Sequence, residues 1–423
     1  MKEQTQANFR AYGEAQKLCA QFWQKPVKVE TLLEKASTTI RAQVQPLVLG
    51  AIRHKRLIDW VLDELLRRAP KREARSLLIV ALGEYLSETP AHAVVDHAVK
   101  LAKARLSAAE AHMVNAVLRK GVTLLEGAHN WEDSQQWGVR YSHPDDLVAR
   151  WLDAFGEAST RALLKWNQLP SPVYINIEQG VDLEPIKGFL ESSKWPHFYR
   201  LKPGAWPHVQ PLLQSGQAYI QDPSTRIPIE LGAPKPGEKV LDLCAAPGGK
   251  SRQIAHALAG DSQSLLVALD LPGKRIERLK ENLAKVQNIA ISVVDHDLRT
   301  LTSDIFEDQH LPAAYNAVFL DAPCSNTGVL RRRPDAKERL SSSVIAEVAK
   351  FQEELLIAAS AWVRPGGRLV YSTCSIEASE NQDQIDRFLS KHPSFQLEKS
   401  HLSFPWREGY DGGGAFLLQR LGS

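Results

Sequence analysis

The stretch KVLDLCAAPGGKS, residues Lys239–Ser251, constrains the fold of this chain more than any other feature. It starts as an apolar, strand-like run, turns at Pro247-Gly248-Gly249, and continues as a helix-like run from Gln253 to Leu258. A strand, a tight loop and a helix place backbone N–H groups and the positive end of a helix dipole at the carboxyl edge of a sheet. This loop is therefore a candidate cofactor site, although a lone Gly-Gly pair more often serves only the packing of a turn.

Composition excludes some classes of protein and leaves others open. The 423 residues suffice for two or three domains, and 43% hydrophobic with 24% charged residues is typical of a globular protein. A net charge of +3 is too small to demonstrate a polyanionic partner. The first ten residues lack the apolar core of a signal peptide and no apolar run approaches a membrane span, so we expect a cytoplasmic protein without a membrane partner.

Cysteine usage points to reduced thiols. The four cysteines are too few and too scattered for a disulfide framework or a CxxC zinc site, so we expect no metal. Three of them lie in loop-like motifs described below; the full set is Cys19, Cys244, Cys324 and Cys374.

Residues 1–127 are predicted to be all helical, because apolar side chains recur there at intervals of three and four residues. Basic residues cluster at Arg53–Arg56 and between Arg67 and Arg75; RNA phosphates and a solvated helix face are equally good explanations for them. The runs AHAVVDHAVKLAK (Ala91–Lys103) and HMVNAVLRK (His112–Lys120) resemble the C-terminal helices of the NusB-like RNA-binding fold. The resemblance implies a helical domain that helps to hold RNA.

Residues 128–220 are predicted to form linker helices and a small α+β module. A helix is expected over Leu147–Trp166, a strand over Val173–Ile177 and a further helix over Leu183–Leu190. Aromatic side chains of the module either stack on unpaired bases or, more commonly for such residues, pack in its core. These are Trp195, Tyr199 and Trp206.

Residues 221–423 alternate between strands and helices, which predicts an α/β domain with a mostly parallel sheet. The strand-like runs are VLDLC, LLVALDL, ISVVDHD, NAVFLDAPC and GGRLVYSTC. Ligands of such sheets bind beyond the carboxyl ends of the strands. Asp270 and Asp297 close two of these strands, where they suit a ribose and an adenine amino group, although either acid alone is more often a cap or turn residue. The loop is not GxGxxG, which favours S-adenosylmethionine over NAD.

Two further strand ends carry an acid and two thiols: Asp321 and Cys324 follow one strand, and Cys374 follows the next. A buried cysteine alone is usually an inert small hydrophobe. Two thiols would be useful in a reaction on cytosine, because addition of a thiolate at carbon 6 turns carbon 5 into a nucleophilic enamine carbon. Asp321 would assist by donating a proton to ring nitrogen 3, if it stays protonated, and a second group would assist release of the product.

The segments LDLCAAPGGKS, DAPCSNTGVLRRRPD and YSTCSIEASENQ resemble the signature motifs of the RNA 5-methylcytosine methyltransferases. Together with the NusB-like front end they resemble the RsmB/Sun (Fmu) branch, which modifies 16S rRNA. The resemblance implies a Rossmann-like, S-adenosylmethionine-dependent methyltransferase core, with Cys374 as nucleophile, Cys324 as the helper in product release and Asp321 as the acid nearest the base. The implied cofactor contacts are Cys244, Ala245, Ala246, Pro247, Gly248, Gly249, Lys250, Asp270, Asp297 and Asp321.

The chain departs from the family pattern in two places. His296 stands where relatives commonly have Gly, and Asp411-Gly412-Gly413-Gly414-Ala415-Phe416 replaces an acid-Gly-aromatic pattern. The substrate side of the site is expected to include Lys250 and a phosphate clamp, with a solvated helix start as the alternative for the clamp. The clamp residues are Arg331, Arg332 and Arg333. Two other functions remain open: a non-catalytic RNA-binding assembly or antitermination factor, and a tRNA cytosine methyltransferase.

Overall fold

The computed structural model describes residues 2–128, 130, 131 and 133–422. The chain divides into two compact units. The first contains residues Met1–Ser171 and Leu330–Ser342, and the second contains Pro172–Val329 and Ser343–Ser423. Sequence reasoning did not predict that a segment downstream of the first cysteine motif belongs to the first unit.

The regular elements described in the first unit are all helices, which confirms the prediction for residues 1–127. The helices are α1 (Lys2–Gln24), α2 (Val29–Leu33), α3 (Arg41–Arg53), α4 (Lys55–Leu65), α5 (Arg72–Leu86), α6 (Ala91–Arg105), α7 (Ala108–Ala128), α8 (Trp137–Arg140) and α9 (Asp145–Gln168). Their apolar stripes form a core of buried Ala, Val, Leu and Ile side chains. Helix α9 is interrupted at Gly156, where φ is +74°.

The segment Leu330–Ser342 is held inside the first unit by polar contacts. The ammonium of Lys337, 2% exposed, donates to the Arg53 carbonyl at 2.6 Å, and Arg53 donates to the Arg331 carbonyl at 3.0 Å. Burial lowers the pKa of Lys337 to about 7, helped by the charge of Arg53 and opposed by that of Glu338. Arg53 is therefore a structural residue of this unit rather than part of a solvated face.

The second unit begins with a small α+β module, as predicted. Its strands are β1 (Tyr174–Ile177), β2 (Leu190–Ser192), β3 (Phe198–Leu201) and β4 (Ala218–Ile220), and α10 spans Trp206–Ser215. The strands form an antiparallel sheet with the order β2-β3-β1-β4. The helix expected near Leu183 is a short 3-10 turn, Glu184–Phe189. Trp195 is buried against Tyr410, whereas Trp206 is 54% exposed.

A seven-stranded sheet forms the rest of the second unit. Its strands are β5 (Lys239–Leu243), β6 (Leu265–Asp270), β7 (Ala290–Asp295), β8 (Tyr315–Asp321), β9 (Val363–Thr373), β10 (Phe395–Ser403) and β11 (Gly413–Arg420). They lie in the order β10-β11-β9-β8-β5-β6-β7. Strands β5 to β9 run parallel to one another, and β11 and β10 add an antiparallel edge. The predicted Rossmann-like core is confirmed, with its five parallel strands in the predicted places.

Helices cover this sheet and bury its apolar side chains. They are α11 (Arg226–Gly232), α12 (Gly249–Leu258), α13 (Lys274–Leu283), α14 (Ser303–Glu307), α15 (Ser342–Ser360), α16 (Gln382–Lys391) and α17 (Pro405–Glu408). Within the described part of the chain, no helix combines the length and apolarity needed to cross a bilayer.

Candidate active site

The two cysteine motifs meet because their strands are parallel neighbours. Asp321 at the end of β8 lies opposite Ser372 in β9. Cys324 and Cys374 follow within three residues of this pair, and their sulfur atoms lie 3.0 Å apart. Both are free thiols. The structure thus places side by side the two sulfurs that the sequence singles out.

Asp321 links the cysteine motifs to the glycine loop. One carboxylate oxygen accepts from the Lys250 ammonium at 2.6 Å, and the other accepts from the Ser372 hydroxyl at 3.0 Å. Burial works to lower the pKa of Lys250, but the charge and hydrogen bond of Asp321, with a smaller contribution from Cys374, outweigh it and raise the value. Lys250 is therefore a cation held beside the sulfur pair, and both oxygens of Asp321 act as acceptors in this state.

The glycine loop is tightly shaped between β5 and α12. Cys244 has φ of +58°, the Ala246–Pro247 bond is cis, and Gly248 has φ of +99° at the N-cap of α12. A Cβ atom on Gly248 would lie 2.9 Å from the Leu279 side chain, so a larger residue does not fit without movement. The loop therefore presents small side chains and backbone groups rather than bulk.

Asp270 fastens this loop from the end of β6. Its carboxylate, 6% exposed, accepts from the Ala246 N–H and the Leu271 N–H, both at 2.8 Å. The Leu271 side chain is 52% exposed beside it, although sequence reasoning did not single it out. Asp270 thus shapes the loop, and its remaining lone pairs are the ones open to a ligand.

Asp297 lies after β7 and caps the 3-10 turn Leu298–Thr300 by accepting from the Arg299 N–H at 3.0 Å. Its carboxylate also pairs with the Arg299 guanidinium at 2.7 Å, and this hydrogen bond lowers the pKa of Asp297. The capping role that sequence reasoning kept as the alternative is present. The predicted adenine contact stays a prediction.

Beneath the loop, Asp242 of β5 is 1% exposed and accepts from the Ser251 hydroxyl at 2.6 Å. Burial raises the pKa of Asp242 to about 7, against the lowering effect of that hydrogen bond and with a further rise from the charge of Asp321. Sequence reasoning did not single out this residue, since one acid inside an apolar strand carries no distinctive signal.

Glu380 is a second buried acid that sequence reasoning missed. It is fully buried and accepts from the Ser325 N–H at 2.9 Å and from the Ser375 hydroxyl at 2.7 Å. Next to it, Asn381 accepts from the Thr373 hydroxyl at 2.8 Å. The sequence signal that could have indicated these two residues is the Glu-Asn pair near the end of YSTCSIEASENQ.

The glycines of the Asp411–Phe416 departure lie against the second cysteine motif. Gly414 pairs with Thr373 where β11 meets β9. A Cβ atom on Gly413 would lie 2.3 Å from the Thr373 carbonyl oxygen, and one on Gly414 would lie 2.2 Å from the Asn381 side-chain oxygen. Consecutive glycines are required here because β11 approaches the end of β9 too closely for side chains.

Comparison with known proteins fixes the family. A model described as 16S rRNA methyltransferase RsmB/F matches residues 229–413, and a NusB family model matches residues 5–122. Ribosomal RNA small subunit methyltransferase B of Proteus mirabilis (strain HI4320) is 32% identical over 411 residues, covering 92% of each chain. The chain belongs to the RsmB methyltransferase family. Ribosomal RNA small subunit methyltransferase B of Cronobacter sakazakii is also 32% identical, over 87% of this chain and 86% of its own chain.

Solved structures agree on the fold of this RsmB-family chain. The crystal structure of PH0851 superimposes with a TM-score of 0.74 at 23% identity and covers 98% of both chains. A methyltransferase homolog protein from Pyrococcus horikoshii has a TM-score of 0.58 at 20% identity, covering 69% of this chain and all of its own. At such identities the likeness shows the fold alone.

RsmB-family proteins are S-adenosylmethionine-dependent methyltransferases, and the residues of the loop fit that cofactor. Gly248 lets the loop pack closely against Leu279, with no Cβ between them. Asp270 offers carboxylate lone pairs for ribose hydroxyls, and Leu271 offers an exposed apolar surface for a base. Burial raises the pKa of Cys244, and the charge of Asp270 raises it further, so this thiol stays protonated. Cys244 therefore lines the site as an uncharged side chain.

The two thiols of the RsmB-family site differ in their surroundings. Cys324 has its pKa raised well above the ordinary value, first by its hydrogen bond to the Cys374 sulfur, then by burial and by the charges of Cys374 and Glu380. Cys374 in turn faces the Asn326 side-chain oxygen at 3.4 Å. Burial and its hydrogen bond to Cys374 therefore favour the protonated thiol of Cys324.

The predicted phosphate clamp lies in the first unit. Arg331 stacks on Trp166, 4.2 Å from the ring centroid, and donates to the Pro170 carbonyl at 2.7 Å. Arg333 pairs with Glu30 at 3.4 Å. Arg331 thus has a structural role in the first unit, and the contact of Arg331–Arg333 with RNA phosphates stays a prediction.

Proposed function

We propose that this RsmB-family protein transfers a methyl group from S-adenosylmethionine to carbon 5 of a cytosine in 16S rRNA, through a covalent cysteine adduct at carbon 6. The observation that carries the proposal is the 3.0 Å separation of the Cys324 and Cys374 sulfurs at the ends of neighbouring strands, beside the Lys250–Asp321 pair. One sulfur is needed to activate the ring and a second group to release it.

In the activation step, the Cys374 thiolate adds to carbon 6 while ring nitrogen 3 gains a proton. The Lys250–Asp321 pair supplies this proton. Asp321 faces the base, and the Lys250 ammonium that is hydrogen-bonded to Asp321 is the source of the proton. Addition breaks the aromaticity of the ring and makes carbon 5 nucleophilic. When bound, S-adenosylmethionine supplies an electrophilic methyl group to carbon 5.

In the release step, the proton on carbon 5 leaves and the carbon 6–sulfur bond breaks. Cys324 is suited to accept that proton. The hydrogen bond of Cys324 to the Cys374 sulfur, at 3.0 Å, is the first of the influences that raise the pKa of Cys324. Once Cys374 is bonded to carbon 6, its sulfur is an uncharged thioether and a weak acceptor, so that influence is reduced. Cys324, after losing its own proton to solvent, accepts the carbon 5 proton. The electrons of the carbon 5–hydrogen bond form the carbon 5–carbon 6 double bond, and those of the carbon 6–sulfur bond return to Cys374 as a thiolate. The proton on ring nitrogen 3 returns to the Lys250–Asp321 pair.

Carbon 6 cannot be attacked inside a stacked helix, so the target base must be exposed, at a cost of about a few kcal/mol that is smallest in a loop. We therefore infer an unpaired cytosine in naked or partly assembled rRNA in the cytoplasm. We further propose that residues 1–127 form an RNA-binding domain, residues 128–220 linker helices and a module, and residues 221–423 the methyltransferase domain.

The test is methyl transfer from labelled S-adenosylmethionine to purified 16S rRNA and, separately, to bulk tRNA, followed by bisulfite sequencing. The proposal expects label in 16S rRNA at an unpaired cytosine, and none with Cys374→Ala. Label in tRNA alone identifies a tRNA enzyme, and no label in either RNA identifies a binding factor without this activity.

A further inference from the structure

Glu380 lies at the junction of the two cysteine loops. Its Oε2 accepts from the Ser325 N–H at 2.9 Å and from the Gln352 amide at 3.0 Å. Its Oε1 accepts from the Ser375 hydroxyl at 2.7 Å and also from the Ser325 hydroxyl. Among the residues that the structure describes, no Lys or Arg forms an ion pair with Glu380, and hydrogen bonds satisfy this buried acid.

The partners of Glu380 identify what it holds. Ser325 directly follows Cys324, and Ser375 directly follows Cys374. One carboxylate therefore joins the chain immediately after each sulfur. Thr327 reinforces the junction, because its hydroxyl lies 3.1 Å from the Ser375 hydroxyl and accepts from the Ile376 N–H at 3.1 Å.

The strand ladder alone does not fix the two loops. The pairing of β8 with β9 ends at Asp321 and Ser372, with one further bond from the Ala322 N–H to the Ser372 carbonyl at 2.8 Å. Both sulfurs lie beyond that point. One more backbone bond joins the loops, from the Gly328 N–H to the Cys374 carbonyl at 3.0 Å, but Gly328 lies four residues after Cys324. Nearer to the sulfurs, Glu380 accepts hydrogen bonds from both loops, at Ser325 and at Ser375.

We propose that Glu380 is a positioning residue that holds the Cys324 and Cys374 loops together so that both sulfurs reach the same pyrimidine. This rests on the proposed cytosine chemistry for its catalytic meaning. Among the described residues, Glu380 has no hydrogen bond to either sulfur, although its charge helps to raise the pKa of Cys324. It takes no part in bond making. A displacement of about 1 Å in a reacting group reduces rate by about a hundredfold, so loss of the junction should lower kcat.

Two substitutions separate hydrogen bonding from charge. Glu380→Leu keeps similar volume but leaves the Ser325 N–H without its acceptor and removes one of the two acceptors of the Gln352 amide, which keeps the Pro323 carbonyl. Glu380→Gln keeps an acceptor for those N–H groups and can donate to the serine hydroxyls, which rotate to accept. We expect kcat to fall by about 10- to 100-fold in the Leu variant and to remain within about fivefold in the Gln variant, with the KM for S-adenosylmethionine unchanged in both.

A readout that needs no RNA reports on sulfur placement directly. Two thiols in contact form a disulfide when the full-length protein is treated with oxidised glutathione, at a rate that depends on their proximity. We expect Glu380→Leu to form the Cys324–Cys374 disulfide at least about tenfold more slowly than Glu380→Gln, because both variants remove the charge that raises the pKa of Cys324 and only the Leu variant removes the hydrogen bonds. The matched control is Glu238→Leu, which removes a carboxylate that pairs with Arg368 at 2.6 Å at the start of β5; it should lower stability while leaving kcat and the disulfide rate unchanged.

The proposal is overturned if the Glu380→Leu variant, at a temperature where it is folded, keeps the wild-type kcat and the wild-type rate of disulfide formation. If that variant does not fold, Ser325→Ala and Ser375→Ala each remove one hydroxyl from the junction; unchanged kcat and disulfide rate in both equally overturn it. A wild-type protein that forms the disulfide rapidly but methylates no RNA rejects the proposed function while leaving the placement of the sulfurs by Glu380 testable.

Discussion

The Lys250 ammonium lies 2.6 Å from the Asp321 carboxylate, which joins the glycine loop after β5 to the first cysteine motif after β8. The two strands are adjacent and parallel, so the end of one reaches the end of the other. In the proposed reaction, this charged pair orients the pyrimidine and supplies a proton to it. The pair is therefore a sensitive point for substitution.

Lys250→Met should reduce kcat by about 10²- to 10⁴-fold, because it removes the proton source proposed for ring nitrogen 3 and leaves Asp321 without its cation. Methyl transfer under single-turnover conditions measures this loss. Lys280→Met is the control, since Lys280 is an exposed residue of α13 that pairs with Glu277 at 3.3 Å. Equal activity of the two variants would remove Lys250 from the mechanism.

Cys374→Ala and Cys324→Ala should fail at different steps. Without Cys374 no adduct forms, so neither methylated RNA nor a protein–RNA complex accumulates. Without Cys324 the adduct forms but releases slowly, so a complex stable in denaturing gels should accumulate while turnover falls by about 10²-fold or more. Gel analysis with labelled RNA distinguishes these results, and the reversed pattern would exchange the two roles.

The parallel core was predictable from sequence because its buried strands are short apolar runs bounded by Gly, Pro and Asp. The antiparallel edge was not, since β10, FQLEKSHLS, is largely polar and exposed and becomes a strand only by pairing with β11. Leu330–Ser342 joins the first unit through contacts such as Lys337 with the Arg53 carbonyl, between residues far apart in sequence.

The candidate site also has a part that was predictable from sequence and a part that was not. Cys324 and Cys374 were predictable as neighbours because each follows a strand of one parallel sheet, so strand order alone brings them to one edge. Glu380 was not, because its carboxylate reaches Ser325, which precedes it by 55 residues. Patterns along the chain indicate which strand ends carry chemistry, but the buried polar contacts that hold those ends depend on packing.

Gly248→Ala should weaken S-adenosylmethionine binding by about tenfold or more. Its φ of +99° strains an L residue by about 1–2 kcal/mol, and the added Cβ would lie 2.9 Å from Leu279. Gly260→Ala is a matched control, because Gly260 has φ of +98° but nothing within 4 Å of an added Cβ. Calorimetric titration should show weakened binding for Gly248→Ala alone, whereas equal loss in both would reflect strain in general.

Asp242 should make stability depend on pH. Its pKa in the folded protein is raised to about 7 from the ordinary value of 3.8, mainly by burial, so between about pH 4 and pH 7 the folded state binds more protons than the unfolded state. The stability that Asp242 contributes is fully present below about pH 4 and is lost as pH rises through about 7. Across that range the free energy of unfolding should fall by about 1.4 kcal/mol per pH unit.

Urea unfolding of the full-length protein at a series of pH values tests this. Asp242→Asn keeps an acceptor for the Ser251 hydroxyl but does not titrate, so the difference in unfolding free energy between wild type and this variant should fall steadily between about pH 4 and pH 7. Ser251→Ala removes the hydrogen bond that favours the charged form and should extend the fall to higher pH. A difference between wild type and Asp242→Asn that stays constant across the range would show that Asp242 is ionised in the folded protein at acid pH.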